Sequence, residues 1–113
     1  MKIAVVGSRD IHELRLGDYI NKEDEIVSGG AKGVDTLAAE YAKSNGMKLT
    51  EFLPEYKRYG RAAPLIRNKQ IVDYSDKVIV FWNGTSKGTL SVIRYAEMVG
   101  KECEIIICSQ PTV

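Results

Sequence analysis

The sequence predicts a three-layer α/β domain in which a mainly parallel five-stranded sheet carries helices on both faces. Residues 2–6 and 77–82 are short apolar runs, typical of parallel strands that are covered on both sides. Segments with helical spacing of apolar residues separate the predicted strands, and the connections are short. Strands and helices that alternate in this way form right-handed crossovers, and therefore a parallel sheet.

In the first half of the chain we predict strands at residues 2–6, 25–27 and 48–53, with helices around residues 11–21 and 33–45 between them. The second helix has the stronger pattern, because apolar residues on one face recur at helical spacing and a pair suited to a left-handed cap ends it. Those residues are Val34, Leu37, Ala38, Tyr41 and Ala42, followed by Asn45 and Gly46. In the first helix, Gly17 weakens a pattern made by Ile11, Leu14 and Ile20.

In the second half we predict a loop rich in charges and aromatic rings at residues 54–63, followed by a helix to about residue 74. Pro64 suits the first turn of that helix, because its missing N–H costs nothing there. The remaining elements are a strand at residues 77–82, a polar loop at 83–89, a helix to about Val99 ended by Gly100, a strand at 104–108 and a tail at 109–113.

Length and composition indicate a single domain, residues 1–113. The net charge is +1, so nothing global indicates a nucleic-acid or membrane partner. No apolar run approaches the ~18 residues of a membrane span, and we expect a cytoplasmic protein. Cys103 and Cys108 lie an odd number of residues apart in one extended run of the chain, so they point to opposite faces and we expect free thiols. A single histidine leaves too few ligands for a zinc site, and we expect no metal and no cofactor.

Three polar loops that contain glycine follow predicted strands, at residues 7–10, 28–33 and 83–89. In a parallel α/β sheet, ligands bind at the carboxyl ends of the strands, where the strand order reverses. We therefore expect the three loops to converge at that edge and to form a ligand site.

The loop at residues 28–33 contains three glycines and a serine and leads directly into a helix. Unpaired N–H groups and the helix dipole favour an anion at such a position, and glycine lets a ligand approach the backbone. The loop matches neither standard nucleotide motif, since Lys32 precedes Gly33 without a following hydroxyl residue, and the first strand offers only Gly7. We expect a phosphate or small polar group rather than ATP or NAD; a tight turn without a ligand is the alternative.

Side chains beside these loops are further candidates, each with an ordinary structural alternative. Arg9 carries a fork of donors that suits phosphate or carboxylate, but a solvated arginine is the alternative. Asp35 lies in a first helical turn, where complementing the dipole is its simplest role. Arg67 and Asn68 face either the same crevice or water. A hydroxyl residue, Ser86 or Thr89, is expected to cap the last helix.

Four stretches of the chain together form a recognisable combination of motifs. They are Gly7-Ser8-Arg9, Ser28-Gly29-Gly30-Ala31-Lys32-Gly33-Val34-Asp35, Arg67-Asn68 and Phe81-Trp82-Asn83-Gly84-Thr85-Ser86-Lys87-Gly88-Thr89. The combination resembles the SLOG superfamily, and more narrowly its small YspA/YpsA-related members, from residue 2 to about residue 108. The resemblance implies a Rossmann-like sheet in the strand order 3-2-1-4-5 and a site for a nucleotide or nucleotide-derived ligand in the crevice.

The ligand-binding residues that we predict lie in these stretches. They are Gly7, Ser8, Arg9, Ser28, Gly29, Gly30, Ala31, Gly33, Val34, Asp35, Arg67, Asn68, Gly84, Thr85, Ser86, Gly88 and Thr89. In the expected arrangement Arg9 pairs with a phosphate that backbone N–H groups of residues 29–34 cradle, and Asp35 accepts a hydrogen bond from a ribose hydroxyl.

Relatives in the superfamily include DNA-processing protein A and the lonely-guy phosphoribohydrolases, which release a base from a nucleoside monophosphate. The latter carry Pro-Gly-Gly-x-Gly-Thr-x-x-Glu with a catalytic glutamate. Aligning Gly88-Thr89 on its Gly-Thr places Val92 at the glutamate, and Asn83-Gly84-Thr85 departs from Pro-Gly-Gly. We therefore expect a binding or sensing domain rather than an enzyme, with a phosphoribohydrolase that uses another carboxylate as the alternative.

Single-stranded DNA binding is a third hypothesis. The segment at residues 56–61 offers aromatic rings and positive charges for it, although a net charge of +1 argues against a nucleic-acid partner. The aromatic residues of the 54–63 loop are also compatible with a homodimer.

Overall fold

The computed structural model describes residues 1–108, so the tail predicted at residues 109–113 lies outside the described residues. The strands are β1 (Lys2–Gly7), β2 (Glu25–Ser28), β3 (Leu49–Glu51), β4 (Lys77–Trp82) and β5 (Glu102–Ile107), and the α-helices are α1 (Val34–Ser44), α2 (Tyr56–Tyr59), α3 (Ala63–Tyr74) and α4 (Lys87–Met98). The strands form one sheet in the order β3-β2-β1-β4-β5, and all neighbouring pairs are parallel. The predicted fold class and strand order are confirmed.

Helices cover both faces of the sheet, because alternate residues of each central strand point to opposite sides. On one face, Ile3, Val5, Ile26, Ile79 and Phe81 meet Val34, Ala38 and Ala42 of α1, together with Ile11, Leu16 and Ile20 from the β1–β2 connection. On the other face, Ala4, Val6, Val27, Val78 and Val80 meet Ile71 and Val72 of α3 and Val92, Ile93 and Ala96 of α4. Because β1 and β4 each contribute side chains to a core on both faces of the sheet, both strands are continuously apolar in sequence.

The helix predicted at residues 11–21 is wrong, since the described chain forms only a 3-10 turn there, Leu16–Asp18. The buried residues of this segment are Ile11, Leu16 and Ile20. At 3.6 residues per turn, an α-helix would spread these three over roughly half of its circumference. An irregular chain instead brings all three onto the sheet, and Gly17 lowers helix propensity further.

Other predicted boundaries also differ from the structure, and the strand predicted at residues 48–53 is limited to Leu49–Glu51. The loop at residues 54–63 contains α2 and a 3-10 turn, Gly60–Ala62, and no residue of either is buried, so apolar spacing gave no sign of them. β5 begins at Glu102 rather than at residue 104, because its backbone pairs with Lys77 at the start of β4. Pro64 lies in the first turn of α3, as predicted.

The two cysteines lie on opposite faces of the sheet, as predicted. Cys103 packs against the core beneath α3 and α4, and Cys108 packs against the core beneath α1. Both thiols are free. No helix within residues 1–108 has the length and apolar character needed to span a membrane.

The carboxylate of Glu25 ties β2 to its neighbours. Its Oε2 accepts hydrogen bonds from Tyr74 Oη at 2.6 Å and from Thr50 Oγ1 at 2.7 Å, while Lys48 Nζ lies 3.4 Å from Oε1. Burial raises the pKa of Glu25, but the hydrogen bonds from Tyr74, Thr50 and Lys48 outweigh burial and leave the pKa below its ordinary value. A lowered carboxylate pKa means that ionised Glu25 stabilises the fold above its ordinary pKa, and that this stabilisation is lost as the pH falls through the folded-state value.

Tyr74→Phe is expected to lower the free energy of unfolding by about 1–2 kcal/mol at neutral pH, because it removes a hydrogen bond to a charged acceptor. The loss should shrink as the pH falls below the ordinary Glu25 value of 4.5, where the carboxylate becomes protonated. Urea denaturation at neutral and acidic pH measures the loss of unfolding free energy and its dependence on pH. Tyr56→Phe, at a ring that is 59% exposed, is the control. An equal loss for Tyr74→Phe at both pH values would contradict the role given to Glu25.

Candidate functional site

A cleft of about 500 Å³ opens at the carboxyl edge of the sheet, at the ends of β1 and β4. The chain that leaves β1 passes to the α1 face, whereas the chain that leaves β4 passes to the opposite face. The strand order therefore reverses between β1 and β4. This is the position at which open α/β sheets bind ligands.

The three predicted loops and α3 all contribute to the cleft. The predicted residues that line it are Gly7, Arg9, Ala31, Asp35, Arg67, Asn68, Ser86, Gly88 and Thr89. The lining of the cleft does not include the other predicted residues, Ser8, Ser28, Gly29, Gly30, Gly33, Val34, Gly84 and Thr85. Sequence reasoning missed further lining residues, namely Val6, Asp10, Pro64, Ile71, Asn83 and Val92.

Gly7 and Ser8 hold the end of β1 against β4. The N–H of Ser8 donates to the carbonyl oxygen of Phe81 at 3.1 Å, and Ser8 Oγ accepts from the N–H of Asn83 at 3.1 Å. A Cβ at Gly7 would lie 2.3 Å from the Phe81 carbonyl oxygen and 2.6 Å from Val34 Cγ2. Packing between the strand ends therefore requires glycine at position 7, and Ser8 bridges the ends of β1 and β4.

Asn83 organises the loop between β4 and α4. Its Oδ1 accepts from the N–H groups of Thr85 and Ser86, each at 2.9 Å, and its Nδ2 donates to the carboxylate of Asp10 at 3.1 Å. An asparagine at the start of a loop and before a glycine is a signal for such an Asx turn. Ser86 caps α4, because its Oγ accepts from the N–H of Thr89 at 3.4 Å.

In the loop at residues 28–33, two backbone N–H groups already donate hydrogen bonds to nearby side chains. The N–H of Gly30 donates to Ser28 Oγ at 3.4 Å, and the N–H of Ala31 donates to Asp35 Oδ2 at 3.0 Å. Side chains of the loop and of α1 therefore already satisfy two of the N–H groups that were expected to cradle a phosphate. That cradle stays a prediction.

Arg67 reaches from α3 into this loop. Its Nη1 donates to the carbonyl oxygen of Gly29 at 2.6 Å, and its Nε donates to Asn68 Oδ1 at 3.0 Å. The guanidinium group is partly buried and lines the cleft. Of the two alternatives for Arg67, crevice or bulk water, the structure places it in the crevice.

The floor of the cleft is apolar and is formed by Val6, Ile71 and Val92. Val92 is only 2% exposed, and it occupies the position that the phosphoribohydrolase motif gives to glutamate. No group of three or more His, Cys, Asp or Glu side chains within residues 1–108 is arranged to hold a metal ion. The groups that the cleft offers to a ligand are two arginines, two carboxylates, the hydroxyl groups at the start of α4 and an apolar floor.

A family model described as the YspA, cpYpsA-related SLOG family matches residues 1–59. The chain belongs to this SLOG family. The matched residues include β1, β2, α1 and β3 and the first two predicted loops. The rest of the cleft lining, from Pro64 to Val92, lies beyond the matched residues. No curated protein matches the chain.

Asp35 is the most deeply buried charge in the cleft of this SLOG domain, at 6% exposed. Burial raises the pKa of Asp35, and hydrogen bonding from Ala31 and Gly29 and the positive charge of Arg67 offset this only in part. The negative charge of Glu51 adds to the increase in pKa. The ionised carboxylate is therefore held at a cost to stability at neutral pH.

Asp35→Asn is expected to stabilise the fold at neutral pH, by about 1.4 kcal/mol for each unit by which the pKa of Asp35 is raised. The folded protein binds a proton at Asp35 more readily than the unfolded chain, so wild-type stability rises as the pH falls through the folded-state pKa. The advantage of the variant should therefore vanish as the pH approaches the ordinary value of 3.8. Denaturation at several pH values measures this, with the exposed Asp18→Asn as control. A destabilised variant at neutral pH would contradict the prediction.

Proposed function

We propose that this SLOG protein binds a nucleotide or a nucleotide-derived small molecule in the cleft between β1 and β4. The observation that carries the proposal is the division of the cleft into a charged rim and an apolar floor. Arg9 and Gly88 are the exposed lining residues at the rim, and the buried side chains of Val6, Ile71 and Val92 form the floor. A mononucleotide has a matching division, with a charged phosphate at one end and a flat base at the other.

The phosphate is best placed beside Arg9 and the start of α4. Arg9 is exposed, so its guanidinium group is accessible to a ligand. The first turn of α4 adds Gly88 and Thr89 to the same cleft, and a helix N-terminus favours negative charge. At the N-terminus of α1 the position favourable to an anion is already taken by the carboxylate of Asp35, whereas Ser86, which caps α4, carries no charge. The N-terminus of α4 is therefore the better site for the phosphate.

The ribose is best placed between the two carboxylates. Asp10 and Asp35 line the cleft, and ionised carboxylates accept hydrogen bonds from hydroxyl groups. Two arginines and two aspartates leave the lining without net charge, which supports a ligand of low negative charge over a triphosphate. The free thiols of both cysteines fit a reducing compartment, and we propose that binding takes place in the cytoplasm.

The direct test is a binding screen by calorimetry and thermal shift. The panel contains nucleoside monophosphates, cyclic mononucleotides and ADP-ribose, with ribose 5-phosphate and adenosine as controls that carry only half of the ligand. A ligand at a hundredfold excess over its dissociation constant stabilises the fold by about 2.7 kcal/mol. If no member of the panel stabilises the protein at millimolar concentration, the proposal fails.

A second candidate, an enzyme that cleaves a nucleoside monophosphate, draws support from Asp35. A buried carboxyl with a raised pKa, placed in a cleft, is the kind of group that acts as a general acid. Incubation with nucleoside monophosphates and detection of free base tests it, with Asp35→Asn as the variant that should abolish release. Binding without release of a base favours the first proposal.

A further inference from the structure

A chain of hydrogen bonds runs beside the cleft, from the loop at residues 28–33 to the first turns of α4. Arg67 Nη1 donates to the carbonyl oxygen of Gly29 at 2.6 Å, and Arg67 Nε donates to Asn68 Oδ1 at 3.0 Å. Asn68 Nδ2 donates to Ser91 Oγ at 3.1 Å, and Ser91 Oγ donates to the carbonyl oxygen of Gly88 at 2.7 Å. The two ends of the chain are backbone carbonyl groups, one in the loop at residues 28–33 and the other in the first turn of α4.

Each member of this chain is restrained by its neighbours. Asn68 uses its oxygen for Arg67 and its nitrogen for Ser91, so the orientation of its amide is fixed by both. Ser91 has a single hydroxyl hydrogen, and its donation to Gly88 strengthens Ser91 as the acceptor for Asn68. A Cβ at Gly29 would lie 2.6 Å from Arg67 Nη1, so glycine at this position permits the close approach of the guanidinium group.

We infer that Arg67, Asn68 and Ser91 form a strut that sets the spacing between the loop at residues 28–33 and the start of α4. Ser91 is then a positioning residue for the cleft, although it is not among the described residues that line it. A ligand that contacts both this loop and the start of α4 meets a spacing that is fixed before binding, which lowers the entropy lost on binding. This consequence for affinity rests on the proposed function, whereas the strut itself does not.

The strut is tested without a ligand, by the backbone amide signals of the ¹⁵N-labelled protein. The Gly30 N–H belongs to the same peptide group as the Gly29 carbonyl, so its ¹⁵N shift reports the bond from Arg67. We expect Ser91→Ala to shift the signal of Gly30 as well as that of Thr89, whose N–H shares a peptide group with the Gly88 carbonyl. If Thr89 moves and Gly30 stays in place, the strut is overturned.

Two further variants separate a lost hydroxyl from a general disturbance of the helix. Ser91→Thr keeps a hydroxyl that can bond to the carbonyl three residues earlier, so Gly30 should stay near its wild-type position. Ser44→Ala removes a matched exposed serine at the end of α1 and should move neither signal. If the Gly30 signal shifts equally in Ser91→Thr and Ser91→Ala, the Ser91 hydroxyl does not have the role proposed for it.

A double-mutant cycle tests whether the members act as one unit. Asn68→Ala and Ser91→Ala remove adjacent links, so the double variant should lose no more in Tm than the worse single variant. Fully additive losses overturn the inference.

The affinity arm uses AMP as the probe in calorimetry. Ser91→Ala is expected to weaken binding by about three- to tenfold, and Ser91→Thr to restore it. If the wild type binds AMP and Ser91→Ala binds it equally well, Ser91 has no positioning role. If the wild type binds no member of the nucleotide panel, the proposed function fails, while the amide signals still decide the strut.

Discussion

Gly33→Ala is expected to lower the free energy of unfolding by about 3 kcal/mol or more. Gly33 precedes α1 with φ +76 and ψ −122, a backbone conformation that residues with a Cβ rarely adopt. The added Cβ would also lie 2.6–2.7 Å from backbone atoms of Arg9. Because backbone atoms cannot rotate away as a side chain does, the loops after β1 and β2 would have to separate.

Gly46→Ala is the matched control for this substitution. Gly46 also has a positive φ, +63, but a Cβ there would have no atom of the described chain within 4 Å. Gly46→Ala should therefore lower the free energy of unfolding only through backbone strain, by about 1 kcal/mol. Urea denaturation of both variants gives the comparison. Equal losses would show that the approach of Gly33 to Arg9 is unimportant for the fold.

Arg9→Ala is expected to weaken the binding of AMP by about 10- to 100-fold, because a hydrogen bond to a charged group contributes about 1.5–3 kcal/mol. The side chain of Arg9 is exposed, so its removal should leave the stability of the free protein almost unchanged. Calorimetry measures the affinity, and thermal unfolding without ligand measures the stability.

Arg15→Ala is the control for Arg9→Ala, since Arg15 is also exposed and is not among the described residues that line the cleft. Its effect on AMP binding should be small, because a distant surface charge is screened by salt. If both variants bind AMP as the wild type does, the phosphate lies elsewhere in the cleft. If both lose affinity equally, general charge rather than a contact explains the effect.

Much of the fold was predictable because each central strand must face two cores. β1 and β4 are continuously apolar because both of their faces are covered, and α1 has helical spacing because one of its faces is buried. The pattern of apolar residues along the chain therefore locates these elements. Residues 11–20 have no such cause, since Ile11, Leu16 and Ile20 are buried by an irregular chain. Ile11, Leu14 and Ile20 imitate a weak helical pattern, but Leu14 is only partly buried and the sheet beneath this segment selects Leu16 instead.

The loops of the candidate site were predictable from their glycines, but the reasons for those glycines were not. Gly7 and Gly33 are required by the backbones of Phe81 and Arg9, which lie next to them only in the fold. Arg67 bonds to Gly29 across 38 positions of sequence. A single sequence carries no sign of such a pairing.

The bond between Ser8 and Asn83 has a consequence for how the protein acquires its cleft. The two residues are 75 positions apart, and the adjoining pairing of β1 with β4 is equally remote in sequence. Closing so long a segment carries an entropy cost that nearby contacts do not, so these contacts are expected to form late in folding. A growing chain that has not yet released β4 from the ribosome has its first two glycine loops but lacks the β4 side of the cleft. A ligand would therefore recognise only the finished domain, and its binding would favour completion of the fold over partly assembled forms.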